Sequence, residues 1–222
     1  MKHFYLLAFL LPCVPYYAVA DDAPSAAPVT PLAPPSASIR YRISDSLTLD
    51  TYRDFEAALK VNPAIRELEF FNSNGSKGYA DSIVNLFQLK IDELKLHTYA
   101  RGFCDSTCAF IFLMGHQRSL LKGTEDNPTI LKLHPIFNSN MNQVVSFSTD
   151  KYIQEISSRS GNKISQALLQ KMYQATDRYG GIIIKRQANA DGKHIFFQGK
   201  YGDQLQALSS QTLSELGIEV EE

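Results

Sequence analysis

The run Gly102-Phe103-Cys104-Asp105-Ser106-Thr107-Cys108 leads directly into the apolar stretch Ala109-Phe110-Ile111-Phe112-Leu113-Met114, which places Ser106 at the mouth of a helix that reads as buried. An oxyanion formed beside such a serine meets the unpaired N–H groups of the first helical turn and the positive end of the helix dipole, the setting that acyl transfer needs. Serine is also a preferred N-cap, so the position by itself supports a cap as well as a nucleophile. Two other features favour catalysis: a polar, Gly-containing loop upstream at residues 72–78, and His134 closing an expected strand downstream. A neutral imidazole takes the hydroxyl proton and returns it to the leaving group near neutral pH without assistance. His134 also fits a structural histidine at a strand end, whereas His97, His116 and His194 read as structural or surface groups. Gly75, within the upstream loop, would serve a tight turn if no serine site lay nearby.

Cys104 and Cys108 flank the serine. In an oxidising compartment an even pair reads first as a disulfide. Inside one regular helix, side chains four apart hold their Cβ atoms about 5–6 Å from each other, beyond the roughly 3.8 Å that a disulfide prefers. Cys104 must then precede the helix, with Cys108 in its first turn. Such a bridge closes a short loop, so it fixes the turn that presents Ser106 more than it stabilises the whole fold. The competing arrangement is a metal held by both thiolates with His97, His116 or His134. The spacing is wider than the two-residue gap of a zinc ribbon and no second cysteine pair exists, so no metal and no other cofactor is expected.

These residues need a scaffold, and the chain is long enough to build one. Its 222 residues suffice for one medium domain, and a formal net charge of −1 without interleaved basic and aromatic patches argues against a nucleic-acid partner. Residues 1–20 combine Lys2, an apolar run over 4–11 and Ala18-Val19-Ala20, the layout of a cleavable signal peptide. A periplasmic location, across the inner membrane, is the corresponding expectation. Residues 21–38, rich in Ala, Pro and Ser, read as a tether to a domain over 39–222. Alternation and helical spacing predict a strand over 39–43, a helix over 49–61, a strand over 65–71 and a helix over 79–90. Further strands are predicted over 94–99 and 129–134, the second closed by Pro135, with a hairpin joining 182–186 to 193–198. Strands and helices alternating in this way imply an α/β fold with mainly parallel sheets and flanking helices. Functional groups in such folds gather where strands end and helices begin.

The run Phe71-Asn72-Ser73-Asn74-Gly75-Ser76, the serine turn before an apolar helix, Gly115-His116-Gln117-Arg118 and the strand ending in His134 together resemble the proteolytic subunit of the Clp protease, in the crotonase-like superfamily. The similarity is to a secreted, periplasmic Clp-like branch whose serine sits in a Cys-x-Ser-x-Cys turn, and it covers residues 39–136 best. The family loop reads Asn-Ser-Pro-Gly-Gly. Asn72, Ser73, Asn74, Gly75 and Ser76 match it, with Asn74 in place of the proline and Ser76 in place of the second glycine. The resemblance implies a ββα-spiral fold, Ser106 as nucleophile, His134 as general base, and the N–H groups of Gly75 and Thr107 as oxyanion donors. Matching the ending from Leu208-Ser209 to Gly217-Ile218 to the family's own places the orienting acid at Leu205, so Asp203 fits with a two-residue shift; Asp177 is a second option, and with neither a Ser–His dyad remains.

The expected function is that of an exported serine hydrolase acting by acyl transfer on peptide amides, with a peptide or protein substrate. No cytosolic ATP-driven unfoldase is expected as partner, and the oligomeric state, homo-oligomer included, is left open. The alternative is a catalytically inactive crotonase-fold binding or scaffold protein of the cell envelope.

Overall fold

The computed structural model describes residues 39–76, 78–138 and 143–222. The signal peptide and tether expected over 1–38 lie outside the described residues. The rest forms an α/β domain around a nine-stranded, mostly parallel sheet with flanking helices. β1 (Arg40–Leu47), β2 (Glu67–Ser76) and β3 (His97–Asp105) pair in parallel. Between them run α1 (Leu49–Val61) and α2 (Ala80–Leu94), each the crossover that a parallel pair requires. Thr48 starts α1 with a reciprocal capping box to Thr51. Phe55 of α1 stacks on Phe87 of α2 at 5.8 Å, and Phe70 of β2 meets the same ring, so both helices are anchored to one face of the sheet.

β3 organises the site because its free edge is shared. His97–Ala100 pair with β4 (Gln117–Leu121), whereas Phe103–Asp105 pair with β5 (Ile130–Leu133). The fork falls at Gly102, whose φ of +69° is left-handed and whose Cα faces the side chain of Asn72 too closely for any Cβ. Thr129 spans the gap: its hydroxyl accepts from Gly102 N–H at 3.1 Å and donates to the Leu121 carbonyl at 2.6 Å. Beyond β5 the sheet turns antiparallel through β8 (Gly181–Lys185), β9 (Ile195–Gln198) and β10 (Gln206–Ser209). β8 and β9 are the hairpin expected from the sequence. The short pair β6 (Phe137–Asn138) and β7 (Gln143–Val144) precedes α4 (Ser146–Arg159) and α5 (Gln166–Gln170). β11 (Glu219–Glu221) extends the sheet beside β4.

α3 (Thr107–Leu113) is only seven residues long, and all of them are buried. A helix apolar all round can only be central, and here it packs between the sheet and α2. The buried guanidinium of Arg118 donates to the Leu113 carbonyl at the end of α3 and to the Gly217 carbonyl, tying the helix to the tail. The run 72–76, expected as a loop, continues β2: Gly75 pairs with Ser46 and Ser76 with Leu47 after a register shift. Asn72, at φ +51°, supplies the bulge that lets a polar segment stay in the sheet.

Candidate active site

β3 delivers Ser106 to the mouth of α3 in one step. Asp105 is the last strand residue, Thr107 the first helical one, and Ser106 between them has φ +57° and ψ −123°. A non-glycine residue held in so sparse a region costs about 1–3 kcal/mol and persists only where its surroundings impose it. A sharp, strained strand-to-helix turn of this kind lifts a serine hydroxyl out of the backbone, as at a nucleophile elbow. Ser106 Oγ accepts no capping hydrogen bond from α3, so the N-cap role open from the sequence is not the one its side chain plays. Its backbone N–H donates to the Lys132 carbonyl at 2.8 Å, which locks the turn to β5.

Two further features show that the turn is imposed on these residues. Asp105 Oδ1 and Thr107 Oγ1, the neighbours of Ser106 on either side, are buried with no hydrogen-bond partner. Each such atom forfeits about 1–3 kcal/mol. Burial pushes the Asp105 carboxyl above its ordinary range, against the pull of the Lys132 ammonium. The segment is closed by the Cys104–Cys108 disulfide, with Cα atoms 5.3 Å apart and both cysteines fully buried. Cys104 is in β3 and Cys108 in the first turn of α3, as the separation argument requires. The two sulfurs are therefore spent on each other and do not serve as thiolate metal ligands.

Gly75 meets this turn from β2. At φ +75°, a methyl on its Cα would lie 2.5 Å from the Asp105 carbonyl oxygen and 3.0 Å from both Ser106 Cβ and the Thr107 nitrogen. Only a glycine lets the two segments approach so closely. The Thr107 N–H, at the first position of α3, belongs to the donors that a helix leaves without an internal acceptor. The Gly75 N–H makes a long contact, 3.4 Å, to Ser73 Oγ. The residues of both N–H groups expected as oxyanion donors thus border Ser106.

His134 follows the last residue of β5, two residues, or about 7 Å of extended chain, beyond the carbonyl that Ser106 binds. Its Nδ1 lies 2.9 Å from the Pro135 carbonyl oxygen. A carbonyl can only accept, so Nδ1 carries the proton and Nε2 keeps its lone pair. Burial lowers the His134 pKa below its usual 6.5; Lys132 and Arg178 push it further down, and the Pro135 hydrogen bond opposes them. The result is a neutral imidazole whose tautomer is set by the backbone. Gly181 makes room behind it: a methyl there would lie 2.0 Å from the Leu133 carbonyl oxygen and 3.3 Å from His134 Cα.

The remaining candidates make other hydrogen bonds. Asp203 Oδ2 accepts from Lys200 N–H in the turn after β9, and Asp177 accepts from the N–H groups of Tyr179, Gly180 and Tyr201. Each carboxylate organises a surface turn, and the Nδ1 position where a triad acid would sit is taken by Pro135. His97 is held through both ring nitrogens by Tyr99 and Ser119 at 2.9 Å. Although Glu219 and Glu221 lie near it, its lone pair is already engaged. His116 faces Asp92, and His194 Nδ1 bonds the Lys185 carbonyl. The sequence reading missed the buried, unpartnered groups of Asp105 and Thr107 and the role of the Pro135 carbonyl. Pro135 was visible as a strand terminator, but nothing in its type announces a carbonyl aimed back at the preceding ring.

No protein-family model and no curated protein matches the chain. Among solved structures, it is similar to the ClpP protease catalytic domain from Plasmodium falciparum, at 14% identity over 60% of this chain and 71% of that one, with a TM-score of 0.43. A mutant of ClpP1 from Listeria monocytogenes is 17% identical over 63% of this chain and 79% of its own, with a TM-score of 0.44. A peptidase from Plasmodium falciparum is 14% identical over 55% and 77%, with a TM-score of 0.42. Each of these likenesses is partial in shape and low in identity.

Proposed function

We propose that this chain is an exported, Clp-protease-like serine hydrolase that cleaves peptide amides by acyl transfer through a Ser106–His134 dyad. The observation that carries the reading is the strained Ser106 turn, its hydroxyl uncapped, set between Gly75 and a strand that ends in a neutral, tautomer-fixed histidine. In the acylation step the Ser106 Oγ–H proton passes to His134 Nε2 as Oγ bonds to the substrate carbonyl carbon. The oxygen of the tetrahedral adduct then faces the N–H groups of Gly75 and Thr107, the former turning from Ser73 Oγ to reach it. His134 returns the proton to the departing amine, the C–N bond breaks, and an acyl ester remains on Ser106. Water, activated by the same imidazole, reverses the sequence and frees the acid. The Pro135 carbonyl does for Nδ1 what an aspartate does in a triad, orienting the ring without adding a negative charge. Export rests on the leader-like residues 1–20, and the substrate is a peptide or protein.

The test is digestion of a peptide library by the oxidised protein, with and without hydroxylamine, followed by mass spectrometry. Cleavage products are expected, and hydroxylamine should convert part of their new C-termini to hydroxamates by intercepting the acyl ester. Intact peptides in both samples would overturn the reading, and cleavage without any hydroxamate would remove the covalent intermediate from it.

A further inference from the structure

We infer that joining Cys104 to Cys108 is what switches the Ser106 site on, so that the chain with free thiols folds but holds an inactive turn. The bridge encloses Asp105, Ser106 and Thr107, the residues that carry the positive φ at Ser106 and the two buried oxygens without partners. Local chemistry prefers another arrangement for them. Asp side chains accept readily from the N–H two residues on, and serine readily caps a helix. If Ser106 relaxed to negative φ, Asp105 could accept from Thr107 N–H in such a turn, giving its orphaned oxygen a partner. That relaxed turn consumes the N–H that the oxyanion needs and lowers the hydroxyl into a capping position. The covalent link between the end of β3 and the first turn of α3 opposes this relaxation.

The bridge is poorly placed to act as a staple for the fold. It spans a sequence separation of 4, the short-loop end where chain-entropy stabilisation is smallest. α3 is held independently by its buried side chains and by Arg118 at its C-terminal end. The redox step balances as ordinary thiol–disulfide exchange. One cysteine thiolate attacks a disulfide donor to give a mixed disulfide, and the other cysteine displaces the donor's second sulfur. Two electrons and two protons pass to the donor, which leaves as a dithiol. Both cysteines are fully buried once joined, so closure is shielded from reversal, and the gate acts at maturation, when the chain first meets an oxidising compartment.

The activity readout rests on the hydrolase reading, so a structural readout is paired with it. Oxidised protein, the same protein kept reduced by a phosphine, and the Cys104→Ala/Cys108→Ala variant are compared by circular dichroism, by amide hydrogen exchange, and by labelling with a fluorophosphonate. The expected result is an unchanged fold in all three. In the thiol and alanine forms the Ser106 amide, released from the Lys132 carbonyl, should exchange at least tenfold faster and the Thr107 amide, taken up by Asp105, more slowly, with β2 and the rest of β3 unaffected, and Ser106 should label at least tenfold more slowly. Returning the reduced wild type to a disulfide donor should restore both. The inference is overturned if the folded, reduced protein labels at the oxidised rate, if its turn amides are unchanged, or if reduction unfolds the whole domain. If the oxidised protein takes no label, the hydrolase reading fails, and the exchange data alone decide whether the bridge sets the turn.

Discussion

Replacing His134 with alanine is expected to slow the reaction of Ser106 with a fluorophosphonate by roughly 10²–10⁴-fold, the range that a positioned general base contributes, while the fold survives. The ring is half-buried at the end of β5, and its Nδ1 bond is to the carbonyl of the next residue, so its loss unties no distant element. The pH profile of the wild type adds a signature that a structural histidine would not give. Burial and the nearby cations Lys132 and Arg178 hold the imidazole pKa below 6.5. The neutral, proton-accepting form therefore persists as the pH falls through 6.5, and the acid limb of the labelling rate should have its midpoint below that value. Stopped-time labelling at a series of pH values between about 4.5 and 8, on either side of the ordinary histidine range, measures it. A midpoint at or above the ordinary value, or an unaltered rate in His134→Ala, would remove His134 from the chemistry.

Gly75→Ala is the second change with a large expected effect. The added methyl meets backbone on the Ser106 side, 2.5 Å from the Asp105 carbonyl oxygen and 3.0 Å from the Thr107 nitrogen, where no flexible side chain can yield. Either β2 withdraws, taking the Gly75 N–H away from the oxyanion, or the Ser106 turn shifts. Both outcomes forfeit a preorganised donor, so labelling should fall roughly 10²-fold or more. Gly192→Ala is the matched control. Gly192 also has positive φ, at +74°, but a methyl there meets nothing within 4 Å. It should cost only the backbone preference, about 1–2 kcal/mol, with labelling unchanged. Equal labelling of Gly75→Ala and Gly192→Ala would show that the close approach of β2 has no part in catalysis.

The alternation of strands and helices was readable because it depends on local periodicity: α1, α2, β5 and the β8–β9 hairpin stand where their patterns place them. The end of β5 was equally legible, since Pro135 disfavours continuation and leaves His134 at the strand's edge. The limits appear where pairing is decided far along the chain. The run Asn72-Ser73-Asn74-Gly75-Ser76 has a loop composition, yet it stays in the sheet because β1 and β3 offer partners on both sides. The fork of β3 at Gly102 was invisible for the same reason: it needs Thr129, 27 residues away, to fill the gap. At the site, residue types pointed to Ser106, the even pair of cysteines to the Cys104–Cys108 bridge, and their separation to its place across the strand end and the first turn of α3. The positive φ of Ser106 and the stranded oxygens of Asp105 and Thr107 are products of packing and left no mark in the sequence. The tail shows the opposite failure. Its Leu-Ser to Gly-Ile pattern suggested an acid near Asp203, but residues 213–217 form a turn and the Asp203 carboxylate caps its own loop.

The proposed hydrolase requires Ser106, among all the hydroxyls of the chain, to be the nucleophile. Reaction of the oxidised protein with a fluorophosphonate, reduction, tryptic digestion and tandem mass spectrometry test it most directly, because Arg101 and Arg118 release Ser106 in one peptide with Thr107 as the other hydroxyl residue. One phosphonyl group per chain is expected, located on Ser106, and none in Ser106→Ala. An adduct on any other residue, or the same stoichiometry in Ser106→Ala, would contradict it.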